Sequence, residues 1–174
     1  MSEALKLKTQ IKVDVYRNAL LPDGFEQWPQ WLRVKWYAEN PGHVVFEEEG
    51  NVALLEGLDA MWTLVCGGGG TAYTNGNARC GVGDGDVAAT ADQVGLQGAN
   101  TEFKAMLATY PQFGTLGQAV FKSEFLSAEG NFHWREMTVD NGAAASKNLN
   151  RRVVDHGVKS AGETRTLTIT ITIS

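Results

Sequence analysis

At 174 residues the chain can fold as one domain, or one domain with an arm, burying roughly 70% of its unfolded surface without disulfide or metal staples. Its composition, 43% hydrophobic and 20% charged, is that of a globular protein, and 20 glycines against 4 prolines call for many tight turns. The net charge of -5 is carried by acids and bases scattered along the chain, with no basic run longer than Arg151-Arg152, which argues against a nucleic-acid groove.

Met1 to Gln10 is polar, and no stretch approaches the ~18 apolar residues of a membrane span. A soluble chain with no membrane partner, not exported by the usual route, is expected. The two cysteines, Cys66 and Cys80, each sit beside glycine with no zinc spacing. They read as buried free thiols of a protein made in a reducing cytoplasm, with a disulfide across the short glycine-rich loop as the lesser alternative.

Residues Ile11 to Tyr16 alternate apolar and polar, which predicts a half-buried strand with Ile11, Val13 and Val15 on one face. From Leu21 to Gly42 the chain concentrates Pro22, Pro29 and Pro41 with Trp28, Trp31, Trp36, Phe25 and Tyr37. Aromatic side chains bring large apolar area on few rotatable bonds, so this segment suits a strap lying on another subunit; the alternative is that it folds back on its own core. The run Glu47-Glu48-Glu49 reads as a solvated turn.

Leu54, Leu55, Leu58, Met61, Trp62 and Val65 recur at helical spacing and predict a helix over Val52 to Cys66, capped by Asn51 and stopped by Gly67, that covers a sheet. Gly67 to Gly70 and Asn75-Gly76-Asn77 interrupt regular structure. A short strand is expected around Ala78 to Val82 and another at Thr101 to Met106, inside a long weakly patterned stretch from Ala88 to Gln118. Beyond it, strands are predicted at Ala119 to Leu126, Asn131 to Val139, Asn150 to Val154 and Arg165 to Ser174. The last sets Leu167, Ile169, Ile171 and Ile173 against Thr166, Thr168, Thr170 and Thr172. Asp140-Asn141-Gly142 is a turn signal between two of them. The fold class that follows is mainly β: a β-sandwich or barrel-like domain over residues 49–174, with one covering helix and an extended N-terminal arm over 1–48.

Little in the sequence carries catalytic chemistry. Gly81-Val82-Gly83-Asp84-Gly85 lacks the later glycine of a dinucleotide fingerprint and the Lys-Ser/Thr pair of a P-loop. Asp84, Asp86 and Asp92 lack calcium-loop spacing and read first as turn residues. His133, Arg135 and Glu136 share one predicted strand, but period two turns Glu136 away from His133, against an acid-base pair. Arg135 and Glu136 are instead candidates for inter-strand or inter-subunit ion pairs. His43 and His156 have no nucleophile motif near them. No metal, cofactor or catalytic residue is expected.

Three blocks carry a resemblance. They are Glu49-Gly50-Asn51 with Leu54-Leu55-Glu56-Gly57 and Trp62-Thr63-Leu64-Val65 before the four glycines; Asn77-Ala78-Arg79-Cys80-Gly81-Val82-Gly83-Asp84-Gly85; and Glu129-Gly130-Asn131-Phe132-His133-Trp134-Arg135-Glu136, followed by Asn150-Arg151, Gly157-Val158-Lys159 and Thr164 to Ser174. Over roughly Glu49 to Ser174 the chain resembles a widespread group of small structural proteins encoded among the virion genes of tailed phages. The final block is also similar, more loosely, to attachment domains of phage tail fibres, in which a Trp-x-Glu strand, a turn and a terminal strand recur.

The resemblance implies a non-enzymatic virion component assembled in the host cytoplasm. The leading expectation is a capsid decoration protein, a homo-oligomer with a trimer favoured, that clamps the major capsid protein. Its interface candidates are Trp28, Trp31, Trp36, Tyr37, Arg135 and Glu136, with the strand at Ile11 to Tyr16 available to a neighbour's sheet edge. The alternative is a tail-associated adaptor, fibre-attachment, baseplate or neck protein with tail proteins as partners.

Overall fold

In the computed structural model, which describes residues 7–173, the alternating segments become strands and the strands form two antiparallel sheets. In chain order they are β1 (Leu7–Arg17), α1 (Gln30–Glu39), β2 (Val44–Glu49), β3 (Val52–Ala53), α2 (Leu55–Val65), β4 (Arg79–Gly83), β5 (Thr101–Ala105), β6 (Gln112–Phe113), β7 (Gln118–Phe125), β8 (Glu136–Asp140), β9 (Asn150–Val153) and β10 (Glu163–Ile173). The first sheet has the order β2-β1-β10-β7-β6 and the second β3-β9-β8-β4-β5. The mainly β, sandwich-like class expected from the sequence is the one found.

The core lies between the sheets and follows from the alternation. In the first sheet Ile11 faces Ile169, Val13 faces Leu167, and Ile169 faces Phe121 across neighbouring strands. These residues are buried with Cys80, Val82, Met137, Val139 and Trp134 from the opposite layer. Each such side chain removed from water contributes about 1.5–3 kcal/mol, so the row fixes the register, because a one-residue slip would turn it outward.

The extended arm expected over residues 1–48 is not what the described part of that segment forms. β1 is an inner strand, paired with β10 along its whole length and with β2 on its other side. The proline- and tryptophan-rich stretch folds back as short 3-10 turns and α1. There Phe25 and Tyr37 close a second small core with Tyr16 and Leu107, and Leu21, Trp28, Val34 and Trp36 pack around it. The aromatic area does need a cover, and the chain's own surface provides it. Met1 to Lys6 lie outside the described residues.

A second correction concerns the covering helix. The described residues form two α-helices, and the expected one starts at Leu55, with Val52–Ala53 as a strand on β9. Its apolar stripe is only partly buried: Leu54 is enclosed and Met61 packs on the core, while Leu55, Trp62 and Val65 face solvent. The helix sits close because Gly57 has no side chain; a β-carbon there would lie 2.4 Å from the Asn148 carbonyl oxygen and 2.5 Å from Leu149 Cα. Gly57→Ala should therefore lower stability by about 1–3 kcal/mol as backbone is forced apart. Gly76→Ala, which meets nothing within 4 Å, should change it by less than about 0.5 kcal/mol. Urea unfolding of the two variants checks the contrast.

Candidate functional site

The glycine-rich segment after β4 has no regular structure from Asp84 to Asn100, so its backbone donors need partners from elsewhere. Glu136, the first residue of β8, supplies them from the interior. Its carboxylate accepts N–H groups from Gly85 (3.2 Å), Gln97 (3.0 Å) and Gly98 (2.6 Å), and the Arg151 guanidinium donates Nε–H to it at 2.6 Å. Both side chains of this pair are fully enclosed. Arg151 Nη1 donates to the Val87 carbonyl and to Gln93 Oε1, which ties the far side of the same loop. A β-carbon on Gly83 or Gly85 would lie 2.4 or 2.6 Å from Glu136 Oε1. These glycines exist to admit a carboxylate. The loop does cradle an anion with backbone amides, as a phosphate loop does, but the anion is the protein's own.

This changes the reading of Arg135 and Glu136. Glu136 makes the inter-strand ion pair of the two alternatives and is fully enclosed by its own chain, so its side chain is not presented to a partner, whereas Arg135 is part-exposed and reaches Asp86 at 3.2 Å. His133 lies outside β8, in an isolated bridge to Val158, with its ring 2.6 Å from Asp155 on the surface. Asp84 is held by Asn100 at 3.0 and 2.6 Å, and these bonds keep its carboxyl below the usual range. Among the described residues no cluster of three or more His, Cys, Asp or Glu is placed to hold a metal. Cys80 is buried, and burial pushes its thiol up to about 12. Cys66, expected to be buried, is exposed at the end of α2, and both are free thiols.

A second polar cluster closes the end of the sandwich near β10. Lys159 is buried and donates to the Leu126 carbonyl (2.8 Å) and Asn131 Oδ1 (2.9 Å); burial and Arg165 bring its amine down to about 8. Arg165 lies 5.0 Å from the Trp134 ring and donates to the His156 and Val158 carbonyls. His156 stacks on Phe46 at 5.1 Å, and neither ring nitrogen has a partner. Lys159 and Arg165 are both enclosed and directed at the chain's own oxygens, Arg165 also at the Glu163 carboxylate (2.9 Å), an arrangement that braces the loops.

Of the aromatic interface candidates, Tyr37 is buried and donates its hydroxyl to Glu124, which Arg33 also engages from α1. Trp28 and Trp36 are half-buried against Phe25 at 5.3 and 5.0 Å. Trp31 alone of these stands out, 64% exposed.

The surface holds a feature that no sequence motif announces: an open groove of about 820 Å³ at the end of the sandwich where β10 finishes. Met61, Tyr73, Tyr110, Phe121, Leu149 and Ile171 line it, and no charged residue does. One wall is the lip after β6, which carries Phe113 and Leu116, 86% and 99% exposed. The groove is built from residues distant in sequence, so nothing local marks it. The available signal was missing charge, since Ala60 to Ala78 and Ala105 to Phe121 contain no Asp, Glu, Lys or Arg and both runs converge there.

Comparison with protein-family models, with curated proteins and with solved structures finds no match for this chain.

Two outcomes follow from these sites. Glu136→Ala leaves a buried guanidinium and three loop amides unpaired and should cost about 3–5 kcal/mol in a denaturant titration. Burial, with Arg165 next, lowers His156 from 6.5 to about 4. The folded ring therefore refuses a proton that the unfolded chain accepts, and the stability present above about 6.5 is lost as pH falls toward 4, by on the order of 3 kcal/mol. Urea midpoints at neutral and mildly acid pH should fall less for His156→Phe than for the parent.

Proposed function

We propose that the chain is a non-enzymatic structural protein of a tailed-phage virion, a capsid decoration protein that holds neighbouring subunits of the shell together. The observation that carries this reading is the division of labour between interior and surface. The buried charged pairs, Glu136 with Arg151 and Arg33 with Glu124, are taken up in bracing loops and helices. Large apolar side chains instead face water: Trp31, Leu55, Trp62, Val65, Phe113 and Leu116. A folded body with several large apolar side chains on its surface suits lasting contact with protein partners, and the resemblance to small virion proteins points the same way.

The clamping mechanism first expected of an N-terminal arm passes to the body of the sandwich, since the described part of that segment is folded into it. Several modest contacts made by copies of a homo-oligomer would act together, and linked sites gain about 10²–10⁴ in avidity without a single strong one. The major capsid protein is the partner in this reading.

The test is the copy number of the protein in purified particles, measured by quantitative mass spectrometry against the major capsid protein. Decoration predicts hundreds of copies per particle. A handful of copies would transfer it to the tail or neck as an adaptor, and its absence from purified particles would end the virion reading.

A further inference from the structure

The groove at the open end of the sandwich has no charged residue in its lining, in a chain of which 20% is charged. Two long uncharged runs, Ala60 to Ala78 and Ala105 to Phe121, supply most of its walls, and Leu149, Ile171 and Ile173 complete them. What enters such a site must itself be uncharged and apolar, because a charge placed there would lose its water with nothing to pair with.

The same chain carries an element of that kind. The lip from Gln112 to Gly117, at the edge of the first sheet, forms one wall of the groove and presents Phe113 and Leu116 almost wholly to solvent. Two large apolar side chains this exposed are out of place on a free monomer. A groove and a matching protrusion side by side on one surface make that surface self-complementary, which is the requirement of an interface between identical subunits.

Charge argues for the same occupant. Copies of a chain with net charge -5 repel one another on average, and the uncharged lining of the groove is a patch where two can approach with little of that cost. We propose that this end is the interface between copies of this chain, the Phe113–Leu116 lip of one copy lying in the groove of the next. The inference rests on the homo-oligomer part of the functional reading but not on location in a virion; particle copy number and mass in solution can fail separately.

The experiment is light scattering of the purified full chain after size exclusion, with four proteins compared. The parent should have at least twice the 18.9 kDa of the single chain. Phe113→Asp and Leu116→Asp should both fall to the single-chain mass while keeping the parent's far-UV circular dichroism, because both positions are exposed on the single chain. Trp31→Ala, on α1 beyond the other end of β10, should keep the parent's mass, showing that loss of an exposed aromatic is not enough. A monomeric parent at its highest soluble concentration would overturn the proposal, as would an assembly that survives both aspartates. So would a monomeric parent that takes up palmitate, since the groove would then be a pocket for a small apolar ligand.

Discussion

The buried pair of Glu136 and Arg151 is the constraint on which the irregular half of this molecule depends. The segment from Asp84 to Asn100 has no strand or helix to satisfy its backbone, and the two side chains do so from within, through Gly85, Gln97 and Gly98 on one side and Val87 and Gln93 on the other. Removing two charges from water costs several kcal/mol for each ion, repaid only when the geometry is good and further hydrogen bonds meet the remaining donors and acceptors. Here four donors meet one carboxylate, and the cost is offset by the order imposed on the loop. Arg151 Nη2 remains without a partner, so the exchange is not complete.

Other carboxylates fasten elements together in a similar way. Arg33 and Tyr37 fasten α1 to Glu124 on the first sheet. Glu56, in the first turn of α2, accepts from the Asn148 amide and side chain and from the Gly95 amide, joining the helix to two loops. Arg79 clasps Asp140 across β4 and β8. A sandwich of this size does not enclose its long connections by hydrophobic burial alone, so it fastens them with charges. The acids and bases most deeply held serve the interior, and the groove beside the end of β10 has no charged residue in its lining.

The strands are legible in the sequence because period-two alternation suits a half-buried strand and little else. β10, with its four threonines against Leu167, Ile169 and Ile171, is the plainest case, and β1, β5, β7 and β9 lie within a few residues of their expected positions. The α2 stripe gives the helix but not its environment, because helical spacing says which residues share a face and not whether anything covers it. The aromatic segment departs from expectation for a related reason: tryptophan and proline density shows that apolar area must be covered, while the covering residues, Tyr16 and Leu107, lie outside the segment. Glu136 is expected in an inter-strand or inter-subunit ion pair, and it makes an inter-strand one with Arg151 of β9, but its enclosure under the loop leaves no mark in its own strand. The glycines that make room for it stand some fifty positions earlier, and only the β4–β8 register brings Gly83 opposite it. The groove leaves no local trace, and its signature is two distant runs without charge.

Native-state hydrogen exchange at the amides of Gly85, Gln97 and Gly98 tests the dependence on Glu136 most directly. If the carboxylate holds the loop, these three amides exchange only when the whole molecule unfolds, with protection matching that of the β4 and β8 amides despite lying in a segment without secondary structure. Exchange at the rate of an open surface loop, in a protein whose strands remain protected, would show that the loop moves independently of Glu136 and would contradict the account.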